Sequence, residues 1–419
     1  MDKKIIIAIA VVAVIAVAGI AAVLMMKPAE PYDPTREVIV DESGLHVYKD
    51  TGKIAAMKCE KYTIVDPDGT EHEYDHTFDA IASVMSERGG AFFTMLCLTG
   101  ENVDKYFVGF DHDRFKTKYF SYFMDYLPGL DKIPNVDDKN ATSIIATDPG
   151  AFVYYWEGRT GVADVAAKLK EADIPTFYLD FHSEDLEQIK NSIMTLGKMF
   201  GLQDKAKQLA DYYESQVKPI YDKVDGLIAK NGGRPVIYGE INIAPKDVQP
   251  NPGSSWAHTT QWGALVYKVG GQMLEAGDAD YSTGAEYPTY TLSHIIANAD
   301  RIDGVFASSN ESSYIHLGPD AKKENVIAQI KAAMDPDTGR SGFSTIKGWQ
   351  DGNFVAVCHL MTRNIYDFAS VQSMAKVVWP NEFKDLDPEK TFEDFWAKWI
   401  PSKIPFKGLW FYAWNPADA

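Results

Sequence analysis

Side chains able to hold a ligand stand just beyond strand-like runs, where open α/β sheets place their binding groups. The run Ala151–Trp156 continues into Tyr154-Tyr-Trp-Glu-Gly-Arg159, which offers Tyr154, Trp156 and Arg159. A Pro- and Gly-rich loop leads into Ser254-Ser-Trp-Ala-His258, with Trp256 and His258 among polar neighbours ahead of a helical pattern. Ser308–His316 follows another run and offers Tyr314 and His316, and His359-Leu-Met-Thr-Arg363 follows the last, offering His359 and Arg363. Aromatic faces stack on a planar macrocycle, and a guanidinium pairs with carboxylate or phosphate. Together these groups fit a large planar metal chelate: a corrinoid first, haem or a siderophore second. A bare metal ion, which needs several His and carboxylate ligands in one geometry, ranks third. Asp111-His-Asp113 reads as a turn, and no metal ligand is assigned.

Catalytic patterns are few. Neither a GxSxG nucleophile elbow nor a P-loop occurs, and Glu240 and Glu286 read as isolated carboxylates. The expectation is a binding protein, not an enzyme. A chelate-processing enzyme and a surface receptor without a transporter are the alternatives.

The chain has 419 residues, enough for two or three cores. Its net charge of −18 argues against nucleic acid and against broad adhesion to anionic lipid. Cys59, Cys97 and Cys358 are too few and too scattered for a disulfide framework, and the last two sit in apolar runs as small core residues. Met1-Asp-Lys-Lys precedes an apolar run from Ile5 to Met26. At 1.5 Å per residue the run spans about 33 Å, a bilayer core. Lys3 and Lys4 keep the N-terminus inside, so a transmembrane helix is expected to hold the protein at the cell surface, facing outward. Cleavage after Ala16-Val-Ala18 is the rival. The protein is expected to be a monomer.

Elements that could position these groups follow in order. Residues 28–61 hold a proline-rich tether and an extra β segment. Residues 62–203 alternate strand-like and helical runs, which predicts an α/β lobe with a mainly parallel sheet. Over 204–231, Leu209, Tyr213, Val217, Ile220, Val224, Leu227 and Ile228 form one helical stripe, interrupted by Pro219 and ended by Gly232-Gly233. Alternation resumes over 232–419. The fold class is therefore α/β: two Rossmann-like lobes joined by one long α-helix, with residues 1–27 as the N-terminal membrane segment.

Ordered short motifs carry a family resemblance from Tyr62 to the C-terminus. They include Asp66-Pro-Asp-Gly69, Leu98-Thr-Gly100 through Val108-Gly109, Asn140–Ile144 through Asp148–Phe152, and Asp173-Ile-Pro-Thr176. Ile193–Gly197 with Lys205-Ala206, Gly270-Gly271, Ala299–Ile302, Asp351–Val355 and Ala375–Phe383 continue the series. The chain resembles the class III substrate-binding proteins of ABC importers for siderophores, haem and cobalamin. That resemblance implies a cleft between lobes, a metal-chelate ligand, an ABC permease as partner, and no resident cofactor. It also singles out Trp156, since cobalamin-binding members carry a tryptophan and then a glycine at a similar place. It departs at the permease-docking glutamates: Thr142 and Leu292 or Ser293 stand there.

Overall fold

The computed structural model describes residues 32–84, 90–111, 115–116, 120–156, 163–274, 286–309 and 313–414. The run Ile5–Met26 lies outside them, as does Arg159. Among the described residues no helix is long and apolar enough to cross a membrane.

The chain begins with two antiparallel pairs: β1 (Val38–Val40) with β2 (His46–Tyr48), and β3 (Lys58–Val65) with β4 (Glu71–His76). The turn at Asp66–Gly69 closes the second pair, with Gly69 at φ 85° where a Cβ would be strained.

The first lobe contains β5 (Ile81–Ser83), α1 (Ala91–Thr99), β6 (Phe107–Phe110), α2 (Ala141–Ile145), β7 (Phe152–Tyr155), α3 (Ala163–Glu171), β8 (Thr176–Leu179) and α4 (Leu186–Met199). Its four strands are parallel, in the order β6-β5-β7-β8. Helix α1 is apolar all round and buried along nearly its whole length, as a helix hydrophobic on every face must be.

The connector α5 (Gln203–Asn231) runs straight on from α4. Of its expected stripe, Leu209, Tyr213, Val217, Ile220 and Val224 are buried, joined by Ala206 and Ala210, while Leu227 and Ile228 at the end are half-buried. It continues through Pro219 and stops at Gly232 in the left-handed region. Gly197 lets α4 and α5 touch, since a Cβ there would lie 2.3 Å from that of Ala206.

In the second lobe are β9 (Val236–Ile241), α6 (Gln261–Lys268), β10 (Gln272–Met273), α7 (Leu292–Ala297), β11 (Ile302–Ser309), α8 (Lys323–Met334), β12 (Phe354–Cys358), α9 (Phe368–Val378), α10 (Pro388–Trp399) and β13 (Phe411–Ala413). Strand order is β10-β9-β11-β12-β13, parallel except for β13. Sequence periodicity did not anticipate α10 or β13.

One hydrophobic core runs through both lobes. Phe93 of α1 meets Tyr366 edge-on at 5.0 Å, Phe123 meets Trp396 of α10 at 5.5 Å, and Phe120 stacks near Trp410 at 6.3 Å. A smaller cluster fills the opposite face of the first sheet, around Phe152, Tyr154, Val165 and Leu169. Cys97 and Cys358 are buried in the main core.

Candidate ligand cleft between the lobes

Both parallel sheets end their strands on loops that meet between the lobes. Burial along β7 decides what the first lobe offers. Tyr154 points into the smaller core, 2% exposed, with its hydroxyl 3.3 Å from Asp138 Oδ2. It is a packing residue rather than a ligand contact. Tyr155, one residue on, stacks on the Tyr154 ring with centroids 4.2 Å apart and lies flat on His182 at 5.2 Å. Trp156 is half-buried and meets Tyr178 edge-on at 5.9 Å, so one part of its ring belongs to the core.

His182 sits in a tight turn after β8. Asp180 builds that turn, its Oδ1 accepting from the backbone N–H of His182 at 2.8 Å and of Ser183 at 2.9 Å. The turn closes with Glu184 at φ 54°, a left-handed conformation that costs a non-glycine residue about 1–2 kcal/mol. Sequence reasoning missed Tyr155, His182 and Glu184. A signal for two of them was present, because His182-Ser-Glu184 stands just beyond the β8 run, the same kind of position that singles out His359 and Tyr314.

In the second lobe, Trp256 is fully buried, stacked near Phe306 at 5.4 Å, with its indole Nε1 donating to Gln261 Oε1 at 3.2 Å. No face is open for stacking, so the expected sandwich of a chelate between Trp156 and Trp256 does not form. His258 is exposed and packs on Tyr267, whose ring lies under the Arg234 guanidinium. That places it on the flank of α6, apart from the strand ends. His316 pairs with Asp320 on the surface.

Three expected residues, His359, Tyr314 and Arg363, stand on loops that follow β11 and β12. His359, just past β12, has Nδ1 2.9 Å from Ser308 Oγ at the end of β11. The Tyr314 backbone N–H donates to Oδ1 of Asn242, which follows β9 at φ 61°. Arg363 occupies the left-handed region at φ 61° in the same loop as His359, and its charge acts on Glu184 of the first lobe. Glu240, which reads as isolated in the sequence, is not. It forms a fully buried fork with Arg340 at 2.6 and 2.7 Å and accepts from Tyr238, Gln249 and the Gly253 backbone N–H. Gln249 in turn accepts from Asn242 at 2.9 Å, so this network fixes the loop beneath Tyr314.

The chain also carries an HExxH spacing, His72-Glu-Tyr-Asp-His76. That zinc chemistry needs a helix, which puts both histidines on one face a turn apart. Here the pattern lies on strand β4, where residues four apart are about 13 Å distant. His72 pairs with Asp66 and His76 with Asp75. Among the described residues no group of three metal-ligating side chains occurs.

The expected docking positions, Thr142 and Leu292 or Ser293, lie on α2 and α7, the short helices that precede β7 and β11 in their respective lobes. Grooves of about 500 and 570 Å³ lie elsewhere. The first is at the amino ends of β9 and β12, beside Lys230 and Trp379, and the second runs along β13.

No family model and no curated protein matches this sequence. Solved structures do match. The TroA-like periplasmic binding protein FepB from Veillonella parvula is 26% identical, with a TM-score of 0.73 over 84% of this chain and 99% of that one. A periplasmic solute-binding protein from the same species is 18% identical, with a TM-score of 0.56 over 83% and 97%. The molybdate-binding protein MolA from Haemophilus influenzae is 14% identical, with a TM-score of 0.53 over 81% and 97%. This chain therefore has the two-lobed α/β fold of the TroA-like, class III periplasmic binding proteins.

Proposed function

We propose that this protein captures an anionic metal chelate outside the cytoplasm and delivers it to an ABC importer. The reading rests on Arg363, His359 and Tyr314, which stand on loops that follow second-lobe strands, and on the stacked Tyr155–His182 pair beyond β7 and β8 of the first lobe. They supply hydrogen-bond donors, aromatic faces and one guanidinium. That combination recognises a carboxylate-bearing or phenolate-bearing complex. With Trp256 in the core, a corrinoid loses its expected aromatic clamp, whereas haem carboxylates and anionic ferric siderophores keep Arg363 as partner. Trp156 and Arg159 remain candidate contacts from the first lobe.

Transport supports this reading over catalysis, since the similar structures are described as solute-binding proteins. Retention of Ile5–Met26 as a membrane anchor, a monomeric state and a permease partner complete the proposal. With Thr142 and Leu292 or Ser293 at the docking positions, permease contact would lack the family's carboxylate–arginine pairs.

Titration calorimetry of the extracytoplasmic part with haem, ferric siderophores and cobalamin tests the ligand. Arg363→Lys should weaken binding of an anionic chelate at least tenfold, about 1.4 kcal/mol, because an ammonium cannot reproduce the planar fork. Failure of the wild type to bind any chelate ends the proposal.

A further inference from the structure

The turn that carries His182 also brings Glu184 to the junction of both lobes and the connecting helix. Glu184 is 1% exposed, and among the described residues neither carboxylate oxygen receives a hydrogen bond from an N–H or O–H donor. What its carboxyl group does meet is the carboxyl group of Asp367, at the start of α9 in the second lobe and also fully buried. Asp367 is already engaged: Oδ1 accepts from the Tyr213 hydroxyl of α5 at 2.5 Å, and Oδ2 faces the Asn364 backbone N–H at 3.4 Å. Two ionised carboxylates have only acceptors to offer each other, so this contact is a hydrogen bond only when one of them carries a proton.

We propose that Glu184 and Asp367 share one proton and serve as a proton-dependent latch that ties the two lobes to each other and to the connecting helix. Charged and titratable groups face the pair from every side. Asp180 and Asp185 come from its own turn, Tyr213 and Tyr221 from α5, and Arg363 from the loop before α9. Lys268 of α6 reaches Asp185 at 3.6 Å. One guanidinium against two buried carboxyls and Asp180 leaves excess negative charge, which favours holding the proton. In line with this, burial and mutual repulsion hold Glu184 well above the usual carboxylate range, and burial pushes Asp367 up to about 7.

Both folded-state values lie above those of the unfolded chain, so folding takes up protons between about pH 4 and 7. The proton that leaves near pH 7 leaves one shared between the two carboxyls, so the latch weakens on the alkaline side, as that last proton is lost. Other buried acids also titrate in this protein, so the test is a difference against a variant.

Glu184→Gln supplies a permanent amide donor in place of the proton. Urea denaturation from pH 5 to 9 should show that unfolding the wild type releases about one proton more than unfolding Glu184→Gln near pH 6. The melting temperature of the variant should fall less than that of the wild type between pH 6 and 8.5. The infrared carbonyl band of a buried protonated carboxyl, present in the wild type at pH 7, should be diminished in the variant. Should Glu184→Gln not fold, Asp367→Asn is read in the same way. Equal proton release and an unchanged infrared band in the variant that folds would overturn the latch.

Discussion

Arg340→Met is the perturbation whose size the structure sets most directly. Arg340 and Glu240 are both fully buried, and the fork between them is bidentate at 2.6 and 2.7 Å. The guanidinium also donates from Nε to the Gln249 backbone oxygen at 3.0 Å. Methionine fills similar space but leaves a buried carboxylate held only by the Tyr238 hydroxyl, the Gln249 amide and the Gly253 N–H. Removing one member of a buried pair costs about 3–5 kcal/mol. With the three neutral donors retained, the loss should fall at the lower end. At about 2–4 °C per kcal/mol for a lobe of this size, the melting temperature should drop by roughly 6–12 °C. Arg340→Lys should lie between, as one ammonium cannot fill both oxygens and the Gln249 carbonyl in the same geometry. Calorimetric melting gives the first number and ligand titration a second. The loop loosened here carries Gln249 and Asn242, which hold Tyr314, so chelate affinity should fall even where the variant is fully folded. A melting point within 2 °C of wild type would refute the argument that this pair organises the second-lobe loops.

Three other outcomes are expected. Asp79 is pushed up to about 7 by burial, with Asp148 adding repulsion, and burial pushes Glu389 up to about 7 as well. Their folded values exceed the unfolded ones, so stability by urea titration should rise by roughly 2–4 kcal/mol per group as pH falls from 8 toward 5, and Asp79→Asn should flatten part of that rise. Gly197→Ala drives a methyl into Ala206 and should destabilise by about 1–3 kcal/mol in denaturant melts, since α4 must move off α5. Trp256→Phe should lower stability by about 1–3 kcal/mol, because the ring packs on Phe306 inside the core, and should weaken chelate binding less than Arg363→Lys, since its link to the proposed site is through the His359 ring at 6.3 Å.

The lobes and the long helix were legible because their signals are long and periodic. The stripe on α5 runs from Leu209 to Ile228 within a helix of 29 residues, and the parallel strands are bounded by helices on both sides. Short elements were not legible in this way. The three residues of β13 carry no period, and α1 is apolar on every face, so periodicity cannot tell it from a strand. Among site residues, the aromatic ones misled. Tyr154 and Tyr155 differ by one position and stack on each other, yet the first is buried in the smaller core and the second reaches His182, a difference of burial that residue type does not carry. Trp256 stood in a polar stretch, yet one of those polar neighbours, Gln261, accepts its indole N–H inside the core. Patterns of residue type also fail where the element is wrong, as the HExxH spacing on β4 shows.

How far the lobes can move depends on the elements that join them. A chain with two loop hinges can close over a ligand like a jaw, but here α5 passes between the lobes as a single helix, and a helix bends less freely than a loop. The core adds a second restraint. Phe93 against Tyr366, Phe123 against Trp396 and Phe120 against Trp410 are aromatic contacts across the lobe boundary, and separating them would expose apolar surface at about 25 cal/mol per Å². Lys403 to Glu101 and Lys268 to Asp185 add ion pairs at the rim, which contribute little. Buried within this otherwise apolar seam lies the Glu184–Asp367–Tyr213 cluster. Apolar contacts do not depend on pH, whereas a shared proton does, so this cluster is where the stiffness of the seam can be altered without dismantling the core. If the proposed function holds, ligand entry should proceed by a small tilt of the lobes about α5, with the loops that bear Arg363 and Glu184 the first to part.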